Sequence, residues 1–196
     1  LSLASVMPLL GLGTQLVKKN LPMPNALYHQ LATWATINFA YTYRNEREVT
    51  ELVSLAREPE KVSRLLRLLQ AGLGHRLAFT VEDAKIALSA EERVATPLGF
   101  LEASLSATAT RATFDRAIGA ATSRLYEAAG ACIAAAGLKP DAIEAIFLTG
   151  GSSRVPAVRR AVVQAAPNAR IAGGSDLLSV ALGLAHEHVG FEHQEV

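Results

Sequence analysis

Apolar residues recur at helical spacing through the front of the chain and gather into short runs towards its end. Residues 1–10 read as a helix, and residues 11–24, with two glycines and two prolines, as a loop. Asn25 can cap a helix reaching about Tyr41, with Leu27, Leu31, Trp34 and Phe39 on its buried side. Two helices follow near residues 46–57 and 59–72, the second opened by Pro59 and buried through Val62, Leu65, Leu66 and Leu69. Another covers 74–88 and ends at Ser89. Alternation then predicts a hairpin with strands 92–98 and 100–107 turning near Gly99. Thr110 caps a long helix from Arg111 to Ala136, which Gly137 closes in the left-handed conformation. A strand over 143–149, a helix opened by Pro156, a short strand at Arg170 and a last helix capped by Ser175 or Asp176 complete the pattern. The fold class is α/β and helix-rich, with two parts, 1–108 and 109–196.

Half of the 196 residues are apolar, enough for a real core. With 19 basic and 18 acidic residues, the overall charge offers nothing to nucleic acid or to a membrane surface. No apolar run is long enough to span a bilayer. Cys132, the lone cysteine, permits no internal disulfide and fits a reducing, cytoplasmic compartment; within an alanine-rich helix it reads as a small core residue. His29 reads as structural. His186 and His188, two apart, are poorly spaced as helical metal ligands, and with His193 they lack any acid-bearing motif. Gly11-Leu-Gly13 has neither the third glycine nor the preceding strand of a dinucleotide fingerprint. The opening LSLASVMPLLGLG lacks an initiating Met and a basic leader, so the chain reads as a piece of a longer protein.

Candidate chemistry concentrates in IFLTGGSSRVP, Ile146 to Pro156. An apolar strand breaks at Gly150-Gly151 and restarts as a helix with Pro156 at its first position. Glycine admits positive φ and the close approach of a ligand, and the helix start adds N–H groups and a positive dipole end. Arg154, Arg159, Arg160 and Arg170 follow with no acid between Glu144 and Asp176. An ordinary βα turn with a solvated basic helix would give the same pattern. Earlier, Glu82, Lys85, Ile86 and Ser89 fall at i, i+3, i+4 and i+7, one helix face. That face could be a solvated one with Glu82 capping the first turn, or a ligand face with an acceptor, donors and an apolar wall.

In order and spacing, TVEDAKIALS, the hairpin, TATRATFDRAI, the long helix and IEAIFLTGGSSRVPAVRRAV resemble the nucleotide-binding domain of the seventy-kilodalton heat-shock chaperones, the DnaK family. The resemblance covers residues 80–185 and extends more loosely over 1–79. The opening looks closest to the short DnaK-like proteins of the YegD type. It implies a fragment of an actin-like ATPase fold: residues 1–108 as the helical upper subdomain of the second lobe, and 109–196 as part of its βαβ base. The resemblance further implies an ATP or ADP site between lobes. Glu82, Lys85 and Ser89 would meet ribose and adenine, Ile86 would flank the base, Gly150, Gly151 and Ser152 would form the turn, and Arg154 would stack on the base. A guanidinium suits that stacking better than an ammonium does. Where the family has Asn-Pro-Asp-Glu before its last helix and Gly-Ala-Ala at its end, this chain has Gly-Gly-Ser-Asp and Gly-Leu-Ala, so no role passes to Asp176.

The family's phosphate loops, catalytic lysine, water-orienting acid and Mg²⁺ site match nothing here and would belong to the missing N-terminal lobe, the chain's first expected partner. A protein client or co-chaperone is the other. Phosphoryl transfer needs metal, phosphate clamps and positioned water together. The chain alone is therefore expected to be catalytically inactive and to bind nucleotide weakly or not at all. Two other readings stand beside this one. The chain could belong to another actin-like branch, such as a sugar or acetate kinase, a filament protein or a reactivating factor. It could also be a non-catalytic interaction module of the same fold.

Overall fold

The structure is a computed structural model that describes residues 1–17 and 20–172. Ser175, Asp176, the expected last helix and His186, His188 and His193 lie outside the described residues. The chain forms two compact units, the first Leu1–Ala117 and the second beginning at Ile118.

The first unit opens with a π-helical turn, Ser2–Val6, that passes into a 3₁₀ turn, Met7–Leu10. Pro8 has no N–H to carry a regular α-helical ladder forward, so the expected helix tightens there. Gly11 ends it at φ 100°, where an added Cβ would stand 2.9 Å from Val62 Cγ2. The loop after it is pinned by bridges between Gln15 and Pro22 and between Leu16 and Ala56.

Helix α1, Ala26–Leu31, is much shorter than the sequence predicts. The Thr33 hydroxyl donates to the His29 carbonyl at 2.9 Å and that of Thr36 to the Gln30 carbonyl at 2.8 Å, so side chains compete for the helical acceptors. The backbone extends at Thr33 and resumes as a 3₁₀ helix, Trp34–Ala40. Tyr28, Leu31, Ile37 and Ala40 are buried, whereas Trp34 is 55% and Phe39 67% exposed. This corrects the expectation that Trp34 and Phe39 face the core.

Helix α2, Tyr43–Leu55, is capped by Thr42, whose Oγ1 accepts from the Asn45 N–H at 3.1 Å. It packs on α3, Pro59–Gln70, which buries Val62, Leu65, Leu68 and Leu69 and leaves Leu66 half-buried. Together with Met7, Leu10, Tyr28, Leu31 and Leu77 these residues form the core of the unit. Each full burial of such a side chain stabilises by about 1.5–3 kcal/mol. Helix α4, Gly74–Ala87, begins where the Gly74 N–H donates to Tyr41 Oη at 2.8 Å.

Strands β1, Arg93–Pro97, and β2, Ser106–Thr110, pair antiparallel from Arg93–Thr110 to Pro97–Ser106. The hairpin is present but its second strand starts six residues later than expected (106 against 100). Leu98 and Leu101, which alternation assigned to strands, are buried by a helical turn in which the Leu101 and Glu102 N–H groups both donate to the Leu98 carbonyl. Ser104 then turns the chain at φ 63°.

Helix α5, Arg111–Ala135, starts at Thr110, whose Oγ1 accepts from the Thr113 N–H at 3.1 Å. It ends at Gly137, φ 70°, where Gly137 and Leu138 donate to Ala134 and Ile133. Both caps are as expected. Cys132 is exposed, not a core residue, because this alanine- and glycine-rich helix has no wide stripe of large apolar side chains to bury with it.

In the second unit, strands β3, Ala145–Phe147, and β4, Arg170–Ala172, pair in parallel, joined through helix α6, Pro156–Ala165. A helical crossover is what a parallel pair requires. The helix buries Ala157, Ala161 and Ala165, a small-residue face at i, i+4 and i+8.

Candidate functional site

The residues singled out in the sequence form two patches, one in each unit. In the first unit, Glu82, Lys85 and Ile86 lie on the last turns of α4, and Ser89 in the turn that follows. Lys85 Nζ donates to Glu82 Oε1 at 2.6 Å, so the i, i+3 spacing is realised as an ion pair. The Glu82 side chain is 53% exposed, and Ile86 stands 59% exposed one residue beyond Lys85. The face therefore offers an acceptor, a donor and an apolar wall together.

Arg111 fixes the end of this face. Its Nε donates to the Leu88 carbonyl at 2.9 Å, Nη2 to the Glu91 carbonyl at 2.9 Å, and Nη1 to Glu92 Oε1 at 2.6 Å. A planar five-donor fork can meet three acceptors at once, which a lysine at the start of α5 could not. The carbonyl of Leu88, which caps α4, is thus satisfied, and the turn carrying Ser89 is tied to the hairpin and to α5. Sequence reasoning missed this residue, since nothing local to Arg111 points back 23 positions to Leu88.

Beside the ion pair lies a groove of about 590 Å³. It is lined by the aliphatic Leu3, Leu31 and Val81, by the rings of Trp34 and Phe79, and by Glu82 and Lys85. Ile86 and Ser89 lie beyond it. The ring of Trp34 meets those of Phe79 and His75 edge-on, with centroids 5.0 and 4.8 Å away, and His75 Nε2 is 3.0 Å from Asn38 Oδ1. Such contacts hold an exposed indole in one orientation.

In the second unit the chain leaves β3 and reaches Gly150 at φ 81°, ψ 159°, a conformation essentially closed to residues with a Cβ. A 3₁₀ turn, Gly151–Arg154, follows and separates the glycines from α6, which begins at Pro156 as expected. Ser153, the buried member of the turn, closes it: its N–H and its hydroxyl both donate to the Gly150 carbonyl, at 3.1 and 2.7 Å. Gly151, Ser152 and Arg154 are left on the exposed side. An added Cβ at either glycine would meet nothing within 4 Å, so at Gly150 the need for glycine comes from the backbone angle alone.

The sequence matches the family described as Hsp70 protein over residues 67–183. That span takes in α4 with Glu82 and Lys85, the hairpin, α5, the Gly150 turn and α6. Proteins of this family bind nucleotide and client proteins. Among the actin-like branches the match is to the chaperone one, and the helix-rich α/β arrangement, with a small antiparallel hairpin and a parallel pair, agrees with a fragment of its ATPase domain. With more than half of its length matched, the chain belongs to the Hsp70 family.

Proposed function

We propose that this chain supplies the adenosine half of an interlobe nucleotide site in a DnaK-like ATPase, with residues 1–108 as the upper helical subdomain and 109–196 as part of the base. Glu82 accepts from ribose hydroxyls, Lys85 and Ser89 donate, and Ile86 flanks the base from α4. Gly150, Gly151 and Ser152 bring backbone close to the ligand, and Arg154 stacks on the purine. The observation that supports this most is that one family match spans both patches. The exposed Glu82–Lys85 pair and the Gly150 backbone give each patch chemistry suited to its role.

Phosphate clamps, the attacking water and Mg²⁺ fall to the N-terminal lobe. No helix of the described residues is long and apolar enough to cross a membrane. The parent in this reading is a cytoplasmic chaperone-type ATPase of the short YegD kind, in which nucleotide state sets lobe closure and through it the hold on a protein client or co-chaperone.

Calorimetric titration of this chain with ATP tests the assignment. The sequence allows weak binding or none; the exposed pair and the glycine turn narrow this to weak, saturable binding, without phosphate release because positioning and charge stabilisation need the N-terminal lobe. Turnover by the chain alone, or no heat at any concentration, would contradict it.

A further inference from the structure

We propose that Trp34 and Phe79 form an aromatic wall of the ligand site that begins at Glu82 and Lys85, so that the nucleoside of ATP or ADP is gripped by aromatic rings as well as by the polar pair. The inference rests on the nucleotide reading above and adds a contact to it.

Three observations support it. Glu82 and Lys85, the residues assigned to ribose, themselves line the groove that Trp34 and Phe79 wall, so a ligand held by the first pair lies beside the second. At about 590 Å³ the groove is of the size that small-molecule sites occupy, roughly 300–1,000 Å³, with the expected make-up of apolar walls and a few convergent polar groups. Trp34 is also held for contact. Although 55% exposed, it is fixed edge-on by Phe79 and His75, and an indole held in place loses little freedom when a flat ring or a sugar face comes against it. The polar chemistry agrees, since Glu82 Oε1 accepts from Lys85 Nζ while the carboxylate retains a second oxygen to accept from a hydroxyl. Leu31 and Trp34 precede residue 67, where the family match starts, whereas Phe79, Glu82 and Lys85 follow it. The wall thus joins Trp34, from before the matched span, to Phe79 within it.

Trp34 is the sole tryptophan, so its emission reports this groove directly. ADP titrated into the chain should shift or quench that emission along the same curve as the calorimetric heat. Trp34→Ala should weaken ADP about tenfold, the order of effect of losing one aromatic contact with the nucleoside, and Trp34→Phe should recover most of it. The exposure of Trp34 makes these variants safe for folding, which circular dichroism checks. ADP binding with unchanged Trp34 emission and equal affinity in Trp34→Ala would overturn this inference and leave the nucleotide reading in place. No binding by the wild-type chain would remove both.

Discussion

Arg64 and Glu102 meet in a two-pronged pair, Nε to Oε2 at 2.7 Å and Nη2 to Oε1 at 3.0 Å, while Arg64 Nη1 donates to the Leu9 carbonyl at 3.1 Å. The hydrogen bond from Arg64, aided by the charges of Arg64 and Arg67 and opposed by desolvation, holds the Glu102 carboxyl below its ordinary value. A carboxylate whose folded pKa is depressed adds stability that is complete above its unfolded value and fades as pH falls through the folded one. Glu102→Gln should therefore lower the melting temperature at neutral pH, and the gap from wild type should close as the solution is acidified below the carboxylate range. Thermal melts across a pH series check this; a gap independent of pH would contradict it. The pair joins positions 38 apart, which no local pattern reveals. Gly150 was legible for the opposite reason: an apolar run ending in paired glycines announces its own backbone need. Trp34 was misread because large apolar residues at helical spacing imply burial only while the helix continues, and hydroxyls at Thr33 and Thr36 end it.

Elements whose ends are set by neighbouring residues were read closely. The Thr110 cap and the Gly137 stop of α5, and Pro59 and Pro156 at the starts of α3 and α6, are local chemistry. The residues 98–105 were not readable in that way, because an apolar–polar alternation serves a buried helical turn as well as a strand. The decision is made by the core, which takes Leu98 and Leu101 into full burial. Among the links between elements, the Arg111 fork joins α5 to the end of α4 and to the hairpin. Hydrogen bonds from a charged donor contribute about 1.5–3 kcal/mol, so Arg111→Ala should destabilise the chain by about that much in urea denaturation. The amides of residues 88–92 should also lose protection from hydrogen exchange. A cost below about 0.5 kcal/mol, the level of an ordinary surface change, would show that the fork does not hold the end of α4.

Among the described residues, each of the two compact units carries one of the sequence-predicted patches, and one family match covers both. Motif order made the family legible before any geometry. The groove beside Glu82 was not, since it depends on residues from four distant stretches of chain, around Leu3, Trp34, Val81 and Phe114. The central proposal is that the end of α4 and the glycine turn both answer to nucleotide. Nuclear magnetic resonance of the labelled chain, followed residue by residue as ADP is added, tests it most directly. The account predicts that the amides of residues 82–89 and 150–154 shift together along one saturation curve; a response from only one of the two patches, or two curves with separate midpoints, would contradict it.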